Sequence, residues 1–166
     1  FGAGLILMHR RGNPETMQAL AKYEDATEEV FQELDASYRK TLSQGVSEDQ
    51  IVLDPGIGFS KNPGQNFEIL HNLKRFQTWR RPVLIGPSRK SFIGTLLGKP
   101  PEERDWGTAA VCVLAVATGA QILRVHEVGA MKDAVRVAEA IVNESLPAAR
   151  LPARQGRQGA KTNVRS

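Results

Sequence analysis

Short apolar runs alternate with stretches of helical period along most of the chain. Leu5-Ile6-Leu7-Met8 predicts a buried strand that ends in the polar loop His9-Arg10-Arg11-Gly12-Asn13-Pro14. From Ala26 to about Leu42, apolar residues at Ala26, Val30, Leu34, Tyr38 and Leu42 form one helical stripe. Asp25 is the expected N-cap, with Glu28 three residues on, and Gly45 the expected stop. Ile51-Val52-Leu53 predicts a second strand, running directly into Asp54-Pro55-Gly56-Ile57-Gly58-Phe59. A helix is expected from about Asn66 to Phe76, with Phe67, Leu70 and Leu73 on one face. A third strand, Val83-Leu84-Ile85, ends in Gly86-Pro87-Ser88-Arg89-Lys90-Ser91. The helix from Asp105 to about Thr118 is apolar almost all round, which predicts deep burial. A fourth strand, Ile122-Leu123-Arg124-Val125, ends at His126. A last helix, roughly Lys132 to Asn143, should turn Ala134, Val137, Ala138 and Ile141 inward.

Strand and helix therefore alternate four times, with connections long enough for parallel crossovers. The strands are continuously apolar, which predicts burial on both faces. An open doubly wound sheet and half of an eight-stranded barrel both fit. In either, ligand chemistry gathers at the carboxyl ends of the strands, and all four strands end there in polar clusters.

Charge changes the picture in one place. The 166 residues carry a net +4, but Arg150, Arg154, Arg157, Lys161 and Arg165 all lie after Pro147, in a stretch with no acid. Without these five the body sits near −1, so no nucleic-acid face is expected. The division expected is a folded body over 1–146 and a disordered basic tail over 147–166. No apolar run is long enough to span a membrane. The single cysteine, Cys112, lies in an apolar run and reads as a buried, inert thiol; a cytoplasmic location is permitted. The chain opens on Phe1-Gly2-Ala3-Gly4 and runs at once into a strand, which reads as the middle of a larger protein.

The candidate chemistry is an anion site beside a heterocycle site. Arg124 and His126 are two apart on a strand and share a face; an arginine supplies fixed donors suited to phosphate oxygens. The alternative for Arg124 is a buried ion pair. Asp54 either caps its turn or accepts paired N–H bonds from a planar ring edge. Lys90 can reach a ring carbonyl or a phosphate. His9 and His71 read as structural or surface residues. No Cys/His metal spacing and no phosphate-cradling GxxxxGK[ST] loop is present.

Four blocks together resemble one family. Leu7-Met8-His9 with Gly12-Asn13-Pro14-Glu15-Thr16-Met17-Gln18, then Asp54 to Phe59, then Ser88-Arg89-Lys90-Ser91, then Arg124-Val125-His126-Glu127-Val128 are similar to dihydropteroate synthases, in order and at fitting intervals. The resemblance implies an α/β fold, a (β/α)8 TIM-type barrel, of which this chain would hold about four βα units, strands five to eight. It implies joining of a dihydropterin pyrophosphate to p-aminobenzoate, with release of pyrophosphate, in folate synthesis. By position, Met8, Asp54 and Lys90 would bind the pterin. Phe59, Ser88 and Arg89 would border the p-aminobenzoate pocket, where sulfonamides compete. Arg124 and His126 would hold the pyrophosphate, and Lys90, Arg124 and His126 would carry the catalysis. Magnesium is implied, with its ligand outside this chain, and so is a homodimer formed by late helices. Arg10 stands where the family usually carries Met. A pterin-dependent methyltransferase shares the fold, but a methyl donor has no pyrophosphate for Arg124 and His126. A half-barrel with no catalysis of its own is the third reading, and its bare strand edges should make the isolated chain self-associate.

Overall fold

The computed structural model describes residues 2–142; the tail expected to be disordered lies outside the described residues. Strand β1 (Leu5–Met8) pairs in parallel with β2 (Ile51–Asp54), setting Leu5 opposite Ile51 and Met8 opposite Asp54. Strand β3 (Leu84–Ile85) pairs in parallel with β4 (Ile122–Leu123). A single parallel bridge, Leu53 to Val83, joins the two ladders, and the Leu53 N–H donates to the Pro82 carbonyl at 3.0 Å. The strands thus lie in chain order, and their carboxyl ends share one rim.

Helix α1 (Ala26–Ser43) forms as its stripe predicts. The Asp25 carboxylate accepts from the Glu28 N–H at 2.8 Å, and Ala26, Val30, Leu34 and Tyr38 are buried. The next helix differs from the expectation. It begins earlier, as α2 (Pro63–His71), and gives way to a 3-10 segment over Leu73–Trp79. The early start follows from Asn62 and Gln65, which cap each other's backbone N–H groups, with Pro63 in the first turn. The 3-10 segment buries Leu73 and Phe76 and stacks Trp79 on Phe31, centroids 4.6 Å apart. Phe67, expected on the inner face, is 36% exposed and meets Phe92 edge-on.

Three further expectations are corrected. β1 is not buried on both faces: Leu5 and Ile6 are exposed, because no strand among the described residues pairs with its outer edge. Helix α4 (Asp105–Ala117), which follows the short α3 (Ser91–Leu97), buries only Thr108, Cys112 and Ala115. Val111, Val113 and Val116 are only half-buried, and Leu114 is 66% exposed. Helix α5 (Val128–Val142) starts four residues before Lys132 and buries Met131, while Val137 and Ile141 face outward. Its main neighbour is α4, which covers one side only. Cys112 is fully buried, and burial pushes its thiol up to about 11, as an inert thiol requires.

Candidate active site

The loop after β2 is built around two left-handed glycines. Gly56 has φ +71°, and a β-carbon there would lie 1.9 Å from the His9 carbonyl oxygen. Gly58 has φ +82°, and a β-carbon there would lie 2.4 Å from the Lys90 side chain. Glycine suits both for conformation, and at Gly56 the fixed main chain of His9 requires it for space as well. The turn they make brings the Gly56 N–H to Asp54 Oδ1 at 2.7 Å. Asp54 is buried, and its second oxygen, Oδ2, has no hydrogen-bond partner. Arg124 Nη2 stands 3.8 Å from Oδ2. Burial raises the Asp54 pKa, while the Gly56 N–H, Arg124, Lys90 and Lys61 oppose the rise. A buried acceptor with a free lone-pair face, set among three cations, suits a ligand that brings its own N–H donors.

Lys90 reaches across to the loop after β2. Its ammonium donates to the Ile57 carbonyl and lies 3.9 Å from the centroid of the Phe59 ring. Burial lowers its pKa to about 8 against the pull of Asp54. Met8 lies beside Asp54 in the strand register, half-buried.

The β3 and β4 loops supply the second half of the rim. Ser88 Oγ donates to His126 Nδ1 at 2.7 Å and accepts the His126 backbone N–H at 3.2 Å. The Arg124 guanidinium lies against Gly86, where a β-carbon would come within 3.1 Å of Nη2. Arg124 thus pairs with the buried Asp54, as the alternative expects, but the arginine end of the pair is 55% exposed. Its charge remains available to an anion. Arg89 departs from the group. Its Nε and Nη2 donate to the two Asp105 oxygens, each at 2.8 Å, and Nη2 also reaches Glu127 at 3.3 Å. Arg89 therefore braces the third loop to α4 and to the fourth loop. Asp54, Lys90, Phe59 and Arg124 meet at one place, with the Ser88–His126 pair on the adjoining loops.

A family profile described as "Pterin binding enzyme" matches residues 1–126. The chain belongs to the pterin-binding enzyme family. A dihydropteroate synthase of Synechocystis is 49% identical over 140 residues, covering 84% of this chain and 48% of that protein. The Escherichia coli K12 dihydropteroate synthase is 41% identical, covering 86% and 50%. The chain thus spans about half the length of the curated relatives it matches. Among solved structures, the α/β fold matches Yersinia pestis dihydropteroate synthase in a sulfonamide complex at TM-score 0.83 and 35% identity, over 87% of this chain and 53% of that one. It also matches Thermus thermophilus dihydropteroate synthase in complex with 4-aminobenzoate at TM-score 0.80 and 40% identity, over 85% and 58%. The family profile spans the first three blocks on which the resemblance rests and ends at His126, within the fourth.

Three site residues escape a reading of the sequence: Lys61, Glu33 and Asn66. Lys61 is buried and Asn66 accepts the Gly58 N–H on Oδ1 at 2.6 Å. The available signal was position alone, since both follow the Asp-Pro-Gly block within a dozen residues. Among the described residues, no group of three or more His, Cys, Asp or Glu could hold a metal ion. No helix among them is long and apolar enough to cross a membrane.

Proposed function

We propose that this chain is the strand five-to-eight half of a dihydropteroate synthase barrel. It would act with the other half in the cytoplasm. The observation that carries the reading is Asp54 Oδ2, a buried acceptor without a partner at the carboxyl end of its strand, with Arg124 3.8 Å away. In this reading Asp54 accepts N–H bonds from the amino-pyrimidine edge of the dihydropterin, Met8 packs against the ring, and Lys90 donates to it. Arg124 and His126 hold the pyrophosphate. Phe59 and Ser88 border the p-aminobenzoate pocket, and Arg89 fixes that border through Asp105 and Glu127.

The chemistry follows from the placement. The bond between the pterin methylene carbon and the pyrophosphate oxygen breaks, and its electron pair leaves with the pyrophosphate. Arg124 and His126 lower the cost of that charge as it develops. The p-aminobenzoate nitrogen attacks the methylene carbon, forms the new carbon–nitrogen bond and gives up one proton. The products are dihydropteroate and pyrophosphate. Magnesium, if it takes part, is held by the other half. The methyltransferase reading loses ground because the relatives aligned over this chain are dihydropteroate synthases.

The proposal includes a homodimer. An apolar groove between α2, α3 and α4, lined by Phe67, Ile93, Leu96, Leu97, Val111 and Leu114, supports a second copy of the chain as its occupant.

Calorimetry with dihydropterin pyrophosphate tests the site, on this chain and on a form extended at its N-terminus to the length of its relatives. The extended form should bind, Asp54→Asn should abolish binding, and the short chain should fail to bind. Binding unchanged by Asp54→Asn, or no binding by the extended form, would return Asp54 to the role of a turn residue.

A further inference from the structure

Lys61 is the one cation of the site that no ligand can reach, because its side chain is buried. All three of its ammonium protons are used: to His9 Nδ1 at 2.9 Å, to the Gly56 carbonyl at 3.1 Å and to the Phe59 carbonyl at 3.0 Å. A neutral amine has two protons and could hold only two of these three acceptors. The Gly56 carbonyl also accepts from the Phe59 N–H at 3.0 Å and the Phe59 carbonyl from Ser60 Oγ, so His9 Nδ1 is the acceptor that depends on Lys61 among the described residues. Because His9 Nδ1 accepts, its proton sits on Nε2, which donates to Glu33 Oε2 at 3.0 Å. Glu33 in turn accepts from the Arg11 guanidinium. The Arg11 backbone N–H donates to Ser60 Oγ at 3.0 Å, and Ser60 Oγ donates to the Phe59 carbonyl at 2.8 Å. The path closes on itself, from Lys61 through the end of β1 and helix α1 back to the loop after β2.

This ring touches the site at two atoms. The Gly56 carbonyl is held by Lys61, while the N–H of the same residue holds Asp54 Oδ1. The Phe59 carbonyl is held by Lys61, while the ring of the same residue lies under Lys90. Resting on the pterin reading above, we propose that Lys61 is a positioning residue: through its three bonds it fixes where Asp54 Oδ2 points and where the Phe59 ring lies. It does not touch substrate. The charged and titratable groups acting on it are Asp54, Glu33, His9, Lys90 and Arg11.

The test uses the N-terminally extended form and dihydropterin pyrophosphate as the probe, at a pH below 7, where Lys61 keeps its ammonium protons, and at a temperature where circular dichroism shows every variant folded. Lys61→Met should weaken binding about tenfold or more, the scale expected when a recognition group is slightly misplaced. The His9 ring nitrogen shifts should lose the single Nε2–H tautomer. In a Cys112→Ala background, Lys61→Cys should bind as weakly as Lys61→Met, and aminoethylation of the new thiol in the unfolded chain followed by refolding, which restores an ammonium at that reach, should recover both affinity and tautomer. A lysine that only adds stability would leave the affinity of the folded protein and its rescue unmoved. Should Lys61→Met not fold, Lys61→Gln takes its place with the same expectation. Affinity within twofold of the parent in the folded variant, while Asp54→Asn abolishes binding, overturns the positioning role and leaves the pterin reading standing. If Asp54→Asn binds like the parent, the pterin reading falls and the proposal with it.

Discussion

Gly56 shows how closely the site is built. The α-carbon is pressed against the His9 carbonyl, and both flanks of the contact are main chain, so neither can move aside. Gly45 has a comparable φ of +89° but open space around it. Alanine at Gly45 should cost about 1 kcal/mol, the ordinary penalty for a left-handed residue. Alanine at Gly56 should cost several times that, and urea denaturation of the two variants measures the difference. Titration gives a second handle at this scale. Burial and Lys61 lower His9 to about 4 from 6.5, so the unfolded chain takes up a proton first as pH falls between those values, and stability drops. Asp54, raised by burial above the ordinary carboxylate value, works in the opposite sense: as pH falls the folded chain takes up its proton first. Burial lowers Lys61 to about 7 from 10.5. Across that interval the unfolded chain holds a proton the folded chain has released, so stability rises with pH; Lys90, lowered to about 8, adds to the rise. Denaturation midpoints from pH 7 to pH 10 should climb in the parent and climb less in Lys61→Met. Asp54 and its glycines were legible because a strand, an acid and two glycines sit in one run of sequence. Lys61 was not, because burial of a cation is decided by His9 and by carbonyls that only the fold brings to it.

The elements divide in the same way. Periodicity finds the apolar face of a helix; it does not say what covers it. α1 is covered, and its stripe was read correctly down to the Asp25 cap. α4 and α5 carry apolar residues that no described element covers, so expected burial became exposure at Leu114, Val137 and Ile141. The proposed homodimer gives the α4 face its cover. Leu114→Lys in the extended form should therefore shift sedimentation from dimer to monomer while the circular dichroism spectrum stays that of the parent; a dimer unmoved by this change would put the interface elsewhere. The break of the helix after His71 was hidden for a different reason. Asn62, Pro63 and Gln65 start α2 early, and the change to a tighter winding at Leu73 serves the Phe31–Phe76–Trp79 cluster, whose partners are distant in sequence.

For the molecule as a whole, alternation of strand and helix was enough to indicate the parallel order, and the four blocks were enough to indicate the family. What the strands border on was less accessible: β1 has a bare outer edge with Leu5 and Ile6 in the open. The seam between the ladders has a further consequence. His9, Lys61 and Asp54 belong to the β1–β2 ladder, while Ser88, Arg124 and His126 belong to the β3–β4 ladder, and between the two runs one bridge from Leu53 to Val83. In the proposed reading, the span from Asp54 to Arg124 is the span between ring and leaving group. A slight flexing at Leu53 would change that span without disturbing either ladder, which would make this one backbone contact the calliper of the proposed reaction.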